Sequence, residues 1–117
     1  MRKIRVLTEK KLESIIAKKA IDLGYLTFKF TSPSNRGVPD RIFINKNGET
    51  FYIEFKSPSG RVTTLQKTIF LKFIARNTYI YVVNDIQKGI SILENNQKKI
   101  KDNSTRPLDI IEEKTED

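Results

Sequence analysis

In the run Phe51-Tyr52-Ile53-Glu54-Phe55-Lys56 an acid and an amine stand two residues apart in an apolar, aromatic setting. Side chains alternate along a strand, so Phe51, Ile53 and Phe55 face one way and Tyr52, Glu54 and Lys56 the other. An ideal strand would set the acid and the amine roughly 6.5 to 7 Å apart, too far for a tight ion pair, yet both can reach one small object between them. A hydrated cation carrying a phosphate fits that description. Taken alone, the two residues are more economically explained as the solvated side of an edge strand. Their neighbours change the balance. Val38-Pro39-Asp40 puts a carboxylate at the opening of a neighbouring strand-like run. Lys56 is followed by Ser57-Pro-Ser-Gly-Arg61, a loop whose backbone amides and arginine could meet a phosphate.

The composition restricts the chemistry further. The 117 residues include no cysteine and no histidine, which excludes disulfides, a thiolate nucleophile, an imidazole base and the usual nitrogen and sulfur ligands of zinc. Carboxylates, lysine and a hard cation remain. The net charge of +8 conceals an asymmetry: residues 102–117 hold six acids against Arg106 and Lys114, a balance of −4, which leaves +12 on residues 1–101. A basic body has a polyanion as its natural partner, because neutralising phosphates releases condensed counterions, and nucleic acid leads that class. With 38% apolar and 31% charged residues, the expectation is one soluble domain over residues 1–101 followed by an acidic tail, 102–117, lacking a fixed structure. No run approaches the ~20 apolar residues of a bilayer span, so no membrane partner and a cytoplasmic location are expected.

The elements that must position these residues follow from periodicity. Leu12, Ile15, Ile16, Ala20 and Leu23 recur at helical spacing from Thr8 to about Leu23, with Gly24 as a stop. Tyr25 to Phe30 reads as a short strand, and Thr31 to Pro39, with two prolines and a glycine, as a loop. Asp40–Asn45 and Thr50–Lys56 form an antiparallel hairpin around Asn47-Gly48. Thr63 to about Arg76 returns to helical spacing through Leu65, Ile69, Phe73 and Ile74, and Thr78–Val83 is a strand. Asp85–Leu93 fits either class, and the chain from Asn95 onward is polar. Phe28, Phe30, Phe51, Phe70 and Phe73 are expected in the core. The order α-β-β-β-α-β suits an α/β (α+β) fold with helices covering a mixed sheet.

Taken together, Glu9-x-x-Leu12-Glu13, Thr31-Ser-Pro33, Arg36-Gly-Val-Pro-Asp-Arg41, Ile53-Glu-Phe-Lys-Ser-Pro-Ser-Gly-Arg61 and Leu65-Gln66 resemble, in order across about residues 8 to 84, the VRR-NUC domain of the PD-(D/E)xK superfamily. The resemblance implies a restriction-endonuclease-like core and a Mg²⁺- or Mn²⁺-dependent endonuclease acting on DNA. By position, Asp40 and Glu54 look like the metal ligands, joined by the backbone carbonyl of Phe55, with Lys56 set to orient or deprotonate the attacking water. Glu13 looks like the helical glutamate that faces the site and binds metal through water, with Glu9 its competitor one turn earlier. Gln66 matches a glutamine at the active edge, although Thr63-x-x-Gln66 also spells a capping box. Arg36, Arg41, Ser57 and Arg61 are the expected DNA contacts. Compact members of the family further imply a homodimer that resolves four-way (Holliday) junctions in phage or bacterial DNA repair, a two-fold enzyme on a two-fold substrate.

The hairpin supplies a geometric test. If Asn47-Gly48 were a two-residue turn, Asp40 would sit opposite Phe55 and point away from Glu54. A three-residue loop, Lys46-Asn47-Gly48 with Gly48 left-handed, sets Asp40 beside Glu54. The metal site needs the second register or a bend near Pro39, whereas grouping Ile42 and Ile44 with Phe51 and Ile53 favours the first. The competing function is a basic DNA-binding module that does not use its carboxylates; it would have no divalent-dependent cleavage to lose on mutation of Glu54 or Lys56.

Overall fold

The computed structural model describes residues 6–98. Helix α1 (Glu9–Asp22) begins at Thr8, whose hydroxyl accepts the Lys11 amide at 3.1 Å, the usual satisfaction of an otherwise orphaned first-turn donor. Gly24, at φ +96°, follows its end. Four strands then form one sheet in the order β1-β2-β3-β4: β1 (Leu26–Lys29), β2 (Arg41–Ile44), β3 (Thr50–Phe55) and β4 (Tyr79–Val83). The first three are antiparallel neighbours. β4 runs parallel to β3, and helix α2 (Thr64–Ile74) supplies the crossover that a parallel pair requires.

One face of the sheet carries the core. Phe43, Phe51, Ile53, Phe55 and Val83 meet Leu12, Ile16 and Ala20 of α1 and Leu93 from the C-terminal helix, all buried. Phe43 and Phe51 are stacked at 5.4 Å, and Tyr25 packs edge-on against both. The opposite face is less well covered. There the Tyr52 ring lies 5.3 Å from Phe73 of α2 and 5.1 Å from Phe30, but Phe28 is 57% exposed and Leu26 58%. Phe28 therefore departs from the expected core: β1 is an edge strand, and α2 packs toward β4, at the other edge of the sheet. For the same reason Leu65 and Ile74 remain exposed, and Phe70 is the α2 side chain that is buried.

The ambiguous segment after β4 is a helix, α3 (Ile86–Lys98), so the order continues to α-β-β-β-α-β-α and structure persists through residues 95–98, past the point where the sequence turns polar. Asp85 caps it, accepting the Lys88 amide at 2.7 Å. Gly89, which weakens the helical signal in sequence, is a packing requirement: a Cβ there would lie 2.5 Å from Ile16 Cδ1. The polar residues past Leu93 also have partners in the fold. Asn96 bonds Tyr81 and the Ile92 carbonyl, and Gln97 bonds the Leu23 carbonyl. The acidic segment 102–117 lies outside the described residues. Among those described, no helix is long and apolar enough to cross a membrane.

Candidate active site

The hairpin adopts the three-residue loop. Ile44 pairs with Thr50 and Arg41 with Ile53, Gly48 sits at φ +83°, and the Asn45 amide donates to the Glu49 carbonyl at 2.9 Å. Asn45 fixes this choice, because its buried side-chain oxygen accepts the amides of Asn47 and Glu49 at 3.0 and 2.9 Å. Extending the ladder sets Asp40 beside Glu54. The chain also bends there: the Asp40 amide donates to the carbonyl of Ile53 at 3.1 Å, although Ile53 is the ladder partner of Arg41. The grouping of Ile42 and Ile44 with Phe51 and Ile53 is thus not the one adopted. They face α2's side with Tyr52, while Phe43 takes the core side.

The loop before β2 holds Asp40 in place. Pro39 is fully buried. Gly37, at φ +91°, lies so close to α2 that a Cβ would sit 3.1 Å from Leu65 and 3.2 Å from Ile69. From this anchor one Asp40 carboxylate oxygen accepts the Phe55 amide at 2.8 Å. A residue's amide and carbonyl point to the same neighbour in an antiparallel ladder, so the Phe55 carbonyl is directed to the Asp40 side as well.

Glu54 is 3% exposed. Its Oε2 accepts from Gln66 Nε2 at 2.8 Å and pairs with Lys56 Nζ at 3.2 Å. This ion pair is tighter than an ideal strand allows, since β3 ends at Phe55 and Lys56 can fold back. Glu54 Oε1 is buried with no hydrogen-bond partner among the described residues. Gln66 has two attachments: its amide oxygen accepts the Thr63 amide at 3.0 Å, closing the capping box of α2, while its amide nitrogen holds Glu54. Both acids have pKa values above the ordinary carboxylate range. Burial is the main cause for each. For Glu54 the nearby Asp40 adds to the rise, and Lys56 and Gln66 oppose it; for Asp40 the Phe55 amide opposes it, while Glu13 and Glu9 add to it.

The remaining expected residues are placed unevenly. Glu13 is held by Lys29 Nζ and Arg41 Nε, each at 2.8 Å. Arg41 also reaches the Thr27 hydroxyl at 3.3 Å, which ties it beneath α1. Glu9 accepts the Ser57 amide at 3.3 Å and so lies at the exit of β3. Arg36 and Arg61 are exposed. Among the described residues no group of three acidic, histidine or cysteine side chains converges as a metal cage. The convergent set is two carboxylates, a carbonyl, a lysine and a glutamine. Lys29 was not singled out from the sequence, yet it lowers the Asp40 pKa. It is one more cation in an aromatic strand, and only the sheet pairing of Lys29 with Arg41 brings it near.

No protein-family model matches the chain. "Putative nuclease p44" of Acyrthosiphon pisum secondary endosymbiont phage 1 is 31% identical over 90 residues, spanning 77% of this chain and 96% of that protein. A solved structure of a VRR_NUC domain superposes with a TM-score of 0.69 at 21% identity, covering 75% of this chain and 97% of the other.

Proposed function

The chain belongs to the VRR-NUC nucleases, and from that premise we propose that it is a Mg²⁺- or Mn²⁺-dependent endonuclease that hydrolyses phosphodiester bonds in DNA at the Asp40–Glu54–Lys56 site. The observation that carries this reading is the buried, unpartnered Oε1 of Glu54 beside a second carboxylate. An acid so placed is costly unless a cation meets it. The available donors are all oxygens, the Asp40 and Glu54 carboxylates and the Phe55 carbonyl, which is the donor set that Mg²⁺ and Mn²⁺ take and zinc does not require. When bound, such an ion would polarise the phosphoryl oxygen and acidify a water.

The protein's own residues do the rest. Asp40 is oriented by the Phe55 amide and Glu54 by Gln66, so neither carboxylate must reorganise for the reaction. Lys56, 3.2 Å from Glu54, supplies a fixed positive charge next to the place where the phosphate becomes more negative. The Ser57–Gly60 turn and Arg61 follow the end of β3 in the chain, and they and the exposed Arg36 are the groups assigned to the flanking phosphates.

The finer reading is a homodimer that acts on branched DNA, four-way junctions among them, in a phage or bacterial cytoplasm. Its support is the incompletely covered sheet face, where exposed Leu26 and Phe28 of the edge strand β1 adjoin Ile42 and Ile44 of β2. The test is incubation of the protein with plasmid, flap and four-way-junction DNA, with and without Mg²⁺ or Mn²⁺, alongside Glu54→Ala and Lys56→Ala. Divalent-dependent cleavage should vanish in both variants while DNA binding persists. Absence of cleavage by the parent protein on all three substrates would leave a basic DNA-binding module.

A further inference from the structure

On the side of the sheet that carries Glu54, toward the C-terminal end of α2, lies a cleft of about 310 Å³ lined by Tyr52, Lys72, Phe73, Arg76 and Thr78. Its floor is aromatic: Tyr52 and Phe73 meet edge-on at 5.3 Å, and both are half-buried. Its rim is cationic. Lys72 and Arg76 are exposed, one helical turn apart, and Arg76 Nη1 donates to the Lys72 carbonyl at 2.9 Å, which holds the guanidinium at the end of α2. Among the described residues no acidic side chain lines it. Tyr52 alternates with Glu54 and Lys56 along β3, so the cleft begins one side-chain repeat, roughly 6.5 to 7 Å, before the acidic pair.

We propose that this cleft is a subsite for an unpaired nucleotide of the strand being cut, its base against Tyr52 and Phe73 and its phosphate at Lys72 and Arg76. The proposal rests on the nuclease reading and deepens it by naming what the substrate must offer. Volume, aromatic floor and cationic rim match the requirements of sequence-tolerant single-strand binding, in which any base can stack and its phosphate is neutralised. A paired base cannot enter without leaving its stack, which costs energy in intact duplex and little in a flap, gap or junction. The subsite therefore selects for DNA with an unpaired arm without reading its sequence.

The test uses the full-length protein in EDTA, so that binding is separated from cleavage. The DNAs are a duplex and the same duplex with an unpaired arm carrying 2-aminopurine, a base whose fluorescence is quenched on stacking. The parent protein should prefer the armed DNA and quench the probe. Lys72→Ala/Arg76→Ala should lower the armed-over-duplex affinity ratio by about tenfold, and Tyr52→Leu should abolish the quench; circular dichroism confirms that each variant is folded. An unchanged ratio, equal losses on both DNAs, or a change in sedimentation in place of the ratio would overturn the subsite. If the parent cleaves DNA with Mn²⁺ and the ratio is unchanged, the subsite fails alone; if it cleaves nothing, the nuclease reading fails whatever the ratio shows.

Discussion

Replacing Glu54 by glutamine should make the metal-free protein more stable while ending its activity. Glu54 is buried, has an unpartnered oxygen and faces Asp40, and its pKa is raised despite Lys56 and Gln66. An unsatisfied buried acceptor costs about 1–3 kcal/mol. The amide keeps an acceptor for Gln66, removes the repulsion from Asp40 and gives up the ionic contact with Lys56. We expect a net gain of about 1 kcal/mol, or about 4–8 °C in Tm for a domain of this size. The sign of the pH dependence follows from the direction of the shift. A carboxyl whose folded pKa is raised favours the folded state below its unfolded pKa, and loses that contribution as pH rises through the folded value. The variant's advantage should thus grow as pH rises and shrink on acidification, as the parent carboxyl becomes protonated. Thermal unfolding in EDTA at several pH values measures it. Saturating Mg²⁺ or Mn²⁺, at about 100-fold over Kd, should reverse the order by stabilising the parent by about 2.7 kcal/mol and the variant far less. A variant that melts at or below the parent at pH 7.5 without metal, or whose advantage grows on acidification, would refute the reasoning.

Three further outcomes follow from the same geometry. Gln66→Glu can keep the capping box, since glutamate serves at that position, but sets a third carboxylate against Glu54; cleavage should fall at least tenfold with little loss of helix in circular dichroism. Gly89→Ala should destabilise by about 1–3 kcal/mol in denaturant titration, because the clash with buried Ile16 outweighs the ~1 kcal/mol helix preference for alanine. Asn45→Ala should remove the side chain that holds the three-residue loop and let the hairpin shift to the two-residue Asn47-Gly48 turn, which turns Asp40 away from Glu54; the protein should lose the metal-induced rise in Tm along with cleavage.

How much of this could be read in the sequence depended on whether the information was local. The stripe Leu12-Ile16-Ala20 and the capping box at Thr63–Gln66 are local and were legible. Lys56 and Glu54 were legible as a pair because alternation along one strand puts them on one face. The apolar pattern pointed to the wrong hairpin register, because it grouped Ile42 and Ile44 with Phe51 and Ile53; the deciding group is the Asn45 side chain, which cages the loop. Helix α3 was obscured by Gly89, which looks like a helix breaker until α1 is placed against it. Phe28 was assigned to the core because aromatic residues in a strand usually are; its exposure depends on strand order and on where α2 packs, which no local pattern encodes.

These dependencies explain how a thin fold keeps two acids together against their mutual repulsion. Asp40 is held mainly by backbone: the buried Pro39, the close approach of Gly37 to α2 and the Phe55 amide. Glu54 is held by Gln66, a residue that α2 requires for its own cap. In each case the group that positions the acid also contributes to the fold, so the acid cannot relax without loss elsewhere. The strain at the site is therefore maintained by interactions whose removal would cost more than the repulsion would return, and on the proposed reading a cation that relieves it would meet a site already arranged to receive it.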